Sequence, residues 1–368
     1  MKIGIIGSRG VPALMGGVEK VVEDLAKELT SRGHEVFVYC RKYYCGHLPE
    51  PAYANRIFTS GFSSVKLDAL SHSFTAFRDA AKRKDFDLLH IHSPAPAIWS
   101  GLINSNKIPT VFTVHACDWN RKRWSWLARK IIKTGLVKGM KNASVVTAVS
   151  QEISARLSYE FDRSVRCVEN MISPPAKCAD NTILEMLGIV TDEYILHVGR
   201  LVEEKNLDLL LRAWSKIPTD KKLVVAGEFY DSRFADKCKA LADDRVIWAG
   251  PVFGESLSAL YQNCIGVAQP SSLEGASLVV LEAASYKKPV LCVDITANKL
   301  QLGDDAIYFA CDCENSLVQA LGELVKKSTK LIDIGQIAGD KILAKYSPAN
   351  ICEKYLEAYN QAIAITKK

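Results

Sequence analysis

"YILHVGRLVEEKNLDLLL" spans residues 194–211. Apolar and β-branched residues run to Val198, Gly199 breaks the run, and leucines then recur at helical spacing, so the stretch reads as strand, tight turn and helix. It stands about midway along a chain of 368 residues and restarts a pattern that the N-terminus has already set. Before it, short apolar runs at 2–7 ("KIGIIG"), 35–40 ("EVFVYC"), 87–91, 109–114, 144–149 and 165–169 alternate with helical stretches such as "GGVEKVVEDLAKELTSRG". After it, runs at 222–227, 245–250, 265–270 and 289–294 do the same. Alternation of this kind builds a parallel sheet covered by helices.

Two such series predict an α/β protein of two Rossmann-like, doubly wound lobes. "NMISPPAKCADN" (170–181), with paired prolines and few apolar residues, reads as the linker. The expected domains are residues 1–172 and 173–346, with a last helix from Ser347 (347–368) packing back. Open α/β sheets take ligands outside the carboxyl ends of their strands, so a cleft between the lobes is the expected binding place.

Bulk properties exclude several classes. The chain is 48% hydrophobic and 24% charged, and no apolar run reaches the length of a membrane span. "MKIGIIGSRG" lacks the apolar core of a secretory signal and reads as a first strand. Eleven scattered cysteines without a CxxC are expected to be reduced thiols in a cytoplasmic protein.

The chemistry concentrates in three βα loops. In "GSRGVPALMGGVEK" the pair Gly16 and Gly17 opens a helix, where backbone N–H groups and the helix dipole favour an anion. The alternative is a plain turn that needs glycine for its geometry. In the opening stretch, Gly199 is followed by Arg200 and, one loop later, by Lys205. A fork-shaped and a point cation suit a diphosphate, unless both are solvated partners of Glu203 or Glu204. "QPSSLEGASLVVLEAAS" (269–285) brings Gly275, Ala276, Ser277 and Leu278 to a helix start, with Glu274 before it and Glu282 one turn inside. Two acids so placed need hydroxyl-rich partners. A sugar joined through a diphosphate to a ribose supplies them.

"GGVEK", "HVGRLVEEKN" and "EGASLVVLE", in this order along the chain, resemble the family 4 (GT4) glycosyltransferases of the GT-B fold, over nearly the whole chain. "TVHACDWNRKRWSWLARK" (113–130) resembles a rhamnosyltransferase-like bacterial subgroup of surface polysaccharide assembly. The resemblance implies a retaining transferase that moves a sugar from a nucleotide-diphosphate-sugar to a saccharide or lipid-linked saccharide. It implies catalytic roles for His115, Arg200, Lys205 and Glu274: diphosphate binding by the cations, donor-sugar hydroxyls on Glu274, and His115 beside the sugar. Gly16, Gly17, Gly199, Gly275, Ala276, Ser277, Leu278 and Glu282 would hold the donor, Glu282 through its ribose. Glu19, Asp118, Trp119 and Arg121 are expected on the acceptor or membrane side. No metal and no cofactor are expected, since no Asp-x-Asp motif suggests a metal-held diphosphate, and Arg, Lys and helix termini are expected in its place. Two departures stand out: "NMIS" where the family often has NGVD, and Lys287 where a glycine is usual.

Other features carry less. His90 and His92 share a strand face but lack a third metal ligand, so a core role is expected. Residues 115–141 hold eight Lys or Arg, one Asp and three of six tryptophans. Trp124, Leu127, Ile131 and Leu136 read either as an interfacial face toward anionic lipid, placing the protein at the inner membrane surface, or as an ordinary half-buried helix. No nucleic-acid module accompanies the charge. A sugar-nucleotide epimerase and an inactive nucleotide-sugar-binding subunit are the rival functions.

Overall fold

The computed structural model describes residues 1–62, 68–83, 85–117 and 125–367 except 107 and 176–177, and of 104–106 the backbone alone. The chain divides into two compact units, Met1–Met171 with Pro348–Lys368, and Ile172–Ser347.

The N-terminal unit is built on β1 (Lys2–Ile6), β2 (Glu35–Cys40), β3 (Asn55–Phe58), β4 (Leu88–His92), β5 (Thr110–Val114), β6 (Val145–Ala148) and β7 (Arg166–Cys167). All pair in parallel in the order β3-β2-β1-β4-β5-β6-β7. Every residue of β4 and β5 is buried, as helices on both faces require. The C-terminal unit repeats the plan with β8 (Tyr194–Val198), β9 (Lys222–Ala226), β10 (Val246–Gly250), β11 (Gly266–Gln269), β12 (Val290–Val293) and β13 (Ile307–Phe309). Their parallel order is β10-β9-β8-β11-β12-β13.

Both sheets reverse their winding once, between β1 and β4 and between β8 and β11. That reversal splays the following loops apart and is where open sheets take ligands. The loops at residues 7–16, 199–206 and 270–277 leave from β1, β8 and β11.

Two glycines let the strand ends close up. A Cβ on Gly7 would stand 2.1 Å from the His92 carbonyl oxygen, and one on Gly227 would stand 1.9 Å from that of Gly199. Both have positive φ, so a side chain at either would be strained as well as crowded.

The expected strands are present, and two more appear. β3 ("NRIF") and β13 ("IYF") are edge strands, short and less completely buried than the central ones. The helix Pro348–Thr366 belongs to the N-terminal unit. Tyr355 and Tyr359 are fully buried on its inner face, and Lys354 pairs with Glu169 at 2.6 Å.

Candidate active site

The site in the C-terminal unit begins where β8 stops. Beyond Gly199 the chain makes one 3-10 turn, Glu203–Lys205, and Asn206, in the left-handed region at φ 52°, turns it into the helix Leu207–Trp214. The short asparagine side chain tolerates that conformation and also reaches across. Its amide donates to the Pro270 carbonyl at 3.1 Å and to Asp312 at 3.3 Å. One residue earlier, Lys205 Nζ donates to Glu274 Oε1 at 2.5 Å. The cation-bearing loop after β8 and the acid-bearing loop after β11 are therefore tied twice. Lys205 pairs with Glu274, not with the neighbouring acids considered from sequence. Arg200 is half-buried on the same loop.

Residues 270–277 lead into the helix Leu278–Ser285, whose N-cap is Ser277, its hydroxyl accepting from the Val280 N–H at 3.5 Å. Gln301 clamps this turn: its Oε1 accepts from the Ser277 N–H and its Nε2 donates to the Ser277 carbonyl, both at 3.2 Å. The Ser277 N–H, expected among the anion-facing amides, is thus directed to Gln301. Gly275, Ala276 and Leu278 are half-buried around the cap. Glu282, half-buried one turn on, takes a hydrogen bond on Oε2 from Tyr261 Oη at 2.9 Å. Burial, then the Glu282 charge, pushes the Tyr261 phenol well above its ordinary value, so it stays a donor.

In the N-terminal unit the glycine-rich loop is braced from within. Its Arg9 N–H donates to Glu19 at 3.0 Å, Ala13 N–H to Glu23 at 3.1 Å, and Leu14 and Met15 N–H to the Tyr44 hydroxyl at 2.7 and 2.9 Å. Glu19 was expected on the acceptor side. Instead it is 7% exposed and folded under the loop, with Gly16 so close that a Cβ there would lie 2.2 Å from Glu19 Oε2. A carboxylate beside free backbone N–H groups satisfies them and is stabilised by them, which explains the inward turn. Gly16, at φ 96°, and Gly17 are exposed at the start of the helix Gly17–Ser31.

His115 leaves the end of β5, and its Nε2 lies 2.8 Å from His92 Nδ1, the rings stacked at 5.1 Å. His90, on the same strand as His92, bonds to Tyr359 Oη at 2.8 Å and to Thr113 Oγ1 at 2.6 Å. These contacts give His90 and His92 a core role, as expected. Burial lowers His115 to about 4 and His90 to about 3, and holds His92 well below the usual histidine value. All three imidazoles are neutral at physiological pH.

Asp118, Trp119, Arg121 and Trp124 lie outside the described residues. The basic segment continues as the helix Trp126–Asn142. Its apolar stripe differs from the one expected: Leu136 is buried and Ile131 half-buried. Gly135 and Gly139 decide this, because a Cβ on them would come within 2.0 Å of the Pro94 carbonyl and 2.5 Å of the Phe112 ring. The outward face carries Trp126, Lys130, Lys133, Val137 and Lys138, around a shallow groove of about 760 Å³.

Asn206, Tyr261, Gln301 and Glu23 were missed from sequence. Asn206 had a local signal, a capping residue type directly before a leucine-rich helix. The others join positions far apart in the chain and carry none.

Residues 15–174 match the model of Glycosyltransferase Family 4, and residues 181–338 that of Glycosyl transferases group 1. An uncharacterized glycosyltransferase of Methanocaldococcus jannaschii is 27% identical over 321 residues, 79% of this chain and 80% of that one. The N-acetylgalactosamine-N,N'-diacetylbacillosaminyl-diphospho-undecaprenol 4-alpha-N-acetylgalactosaminyltransferase of Campylobacter jejuni is 32% identical over 174 residues, 43% of this chain and 47% of that one. Among solved structures, Anabaena HepE in complex with UDP-glucose has a TM-score of 0.78 at 16% identity, covering 98% of this chain and 99% of that one. With two glycosyltransferase models end to end along nearly its whole length and two Rossmann-like sheets, the chain belongs to the family 4 glycosyltransferases of the GT-B fold.

Proposed function

We propose that the protein transfers a sugar, with retention of anomeric configuration, from a nucleotide-diphosphate-sugar to a hydroxyl of a lipid-linked saccharide in surface polysaccharide assembly. The observation that carries this reading is the joining of the two loops at the β8–β11 reversal through Lys205 and Glu274. A cation suited to a diphosphate lies beside a carboxylate suited to sugar hydroxyls, which supports the reading. Arg200, Lys205 and the amide end of the helix Leu278–Ser285 offset the charge that develops on the departing diphosphate. Glu274 accepts from the donor sugar and Glu282 from the ribose. His115, neutral, hydrogen-bonds a hydroxyl of the transferred sugar.

The sugar passes through an oxocarbenium-like state, as in other glycosyl transfers. The bond from the anomeric carbon to the diphosphate oxygen breaks, the acceptor oxygen bonds to that carbon on the same face, and the acceptor proton passes to the leaving phosphate. Neither Glu274 nor Glu282 acts as a covalent nucleophile. The acceptor class is supported by the name of the Campylobacter relative, which carries a diphospho-undecaprenol. The basic outer face of the helix Trp126–Asn142 suits a peripheral position on an anionic membrane.

A thermal-shift screen of UDP-, GDP- and dTDP-sugars identifies the donor, and transfer is then followed in Arg200→Ala and Glu274→Ala. Each is expected to lose about 100-fold or more in turnover, as removal of a group that binds developing charge does. Full activity in both variants refutes the assignment.

A further inference from the structure

Tyr261 sits in the helix Gly254–Asn263, 2% exposed, its ring stacked on Tyr286 at 5.4 Å with 14° between the planes. The ring is therefore fixed, and its hydroxyl has one direction in which to donate. That direction is Glu282 Oε2, at 2.9 Å. A phenol donating to a carboxylate makes a strong, charge-assisted bond, and a carboxylate with about four lone-pair sites can accept from two vicinal hydroxyls as well as from a phenol. Glu282 itself is half-buried, so its plane is set by what it bonds on the inner side, and the long glutamate side chain would otherwise rotate.

We infer that Tyr261 is a positioning residue for ribose recognition: by holding Glu282 in one plane it lets the carboxylate accept from both ribose hydroxyls, and so sets a preference for ribonucleotide over 2′-deoxyribonucleotide donors. The inference rests on the ribose role proposed for Glu282. Tyr261 touches no substrate, and its effect reaches the nucleotide only through that carboxylate. The chemical step does not depend on it.

The test measures binding of UDP, GDP and their 2′-deoxy forms to the full chain by calorimetry, in the wild type, Tyr261→Phe and Glu282→Ala. The wild type should bind the matching ribonucleotide about tenfold more tightly than its 2′-deoxy form, as befits a hydrogen bond to a charged group. Tyr261→Phe should lose most of that ratio by weakening the ribonucleotide alone, raising KM for the donor while kcat at saturation stays within about threefold. Equal weakening of both forms would mean a merely structural tyrosine and overturn the inference. A collapsed ratio in Glu282→Ala with an intact one in Tyr261→Phe would overturn it too. An intact ratio in Glu282→Ala would instead remove the ribose role of Glu282. If Tyr261→Phe does not fold, Glu282→Asp draws the carboxylate back from the phenol by one methylene and must show the same collapse; a full wild-type ratio there counts against the inference.

Discussion

Lys205 and Glu274, 69 positions apart, meet at 2.5 Å with only 14% and 10% of their side chains exposed. In a pair so little solvated, mutual attraction works against the hydration each charge has lost, and breaking the pair leaves one charge stranded. Both partners are also the proposed ligands of the diphosphate and the sugar. The pair keeps two opposite charges compensated at a place where a charged, hydroxyl-rich molecule is to be received.

The first prediction follows from that coupling. Lys205→Ala and Glu274→Ala should each destabilise the C-terminal unit, and the double variant should cost less than the sum by about 1–2 kcal/mol. Urea unfolding of the four proteins completes the cycle. Additive losses would mean that the two side chains do not sense each other.

The histidines of the N-terminal unit predict a pH dependence of stability. His90 and His92 are fully buried, and His90, His92 and His115 all titrate below the usual histidine value, about 3 for His90 and about 4 for His115. Burial is the main cause, and repulsion among the rings adds to it for His90 and His92. Freed by unfolding, each imidazole titrates near 6.5. Below that pH the unfolded chain takes up protons that the folded one refuses, so stability is complete above about pH 6.5 and falls as pH drops toward 4. The slope can reach about 1.4 kcal/mol per pH unit for each histidine. Chemical unfolding at pH 7.5 and 5.0 should show the loss, and His90→Gln should lessen it. Equal stability at the two values would contradict the neutral, buried state of the rings.

How much of this was legible follows from chain distance. The glycines and cations of each βα loop are neighbours in sequence, so "HVGRLVEEKN" and "SSLEGAS" disclosed the fold and singled out the two loops that the candidate site is built from. Lys205 could be seen to need an acid, but Glu203 and Glu204 were nearer in sequence than Glu274, and only the β8–β11 pairing brings the latter in. Tyr261 and Gln301 act on residues 21 and 24 positions away, with no periodic pattern to announce them. Glu19 shows the opposite limit. Its proximity to Gly16 and Gly17 was plain, yet the sequence does not reveal whether a carboxylate turns toward loop amides or away from them. In the basic helix the apolar stripe was misjudged because two glycines, not the largest apolar side chains, define the side that packs.

Lys287, where the family usually has glycine, adopts φ 59° just past the helix Leu278–Ser285. A β-carbon in the left-handed region is crowded by the backbone, at a cost of roughly 1–2 kcal/mol. The Lys287–Asp340 ion pair, at 2.8 Å and with Asp340 mostly exposed, recovers little of this. Lys287→Gly should therefore stabilise the protein by about 0.5–1 kcal/mol after the extra freedom of glycine in the unfolded chain is counted. Thermal melts of the two proteins decide; an unchanged or lower midpoint in the variant means that packing of the lysine stem outweighs the backbone cost.

The outer face of the helix Trp126–Asn142 supplies the last prediction. Trp126, Leu127 and Val137 are 73%, 55% and 52% exposed, and Lys130, Lys133 and Lys138 are exposed beside them. Lys130 also stands 5.7 Å over the Trp126 ring. Exposed apolar groups ringed by ammonium groups match the boundary of an anionic bilayer, where each lysine contributes about 1 kcal/mol. Vesicles containing phosphatidylglycerol should retain the protein at low salt, phosphatidylcholine vesicles should not, and added salt should release it. Charge reversal at Lys130, Lys133 and Lys138 should lower partitioning by about 100-fold or more, from the loss of three such contributions, while transfer to a soluble acceptor continues. Equal retention of wild type and variant, or indifference to lipid charge, would reduce this face to ordinary solvated surface.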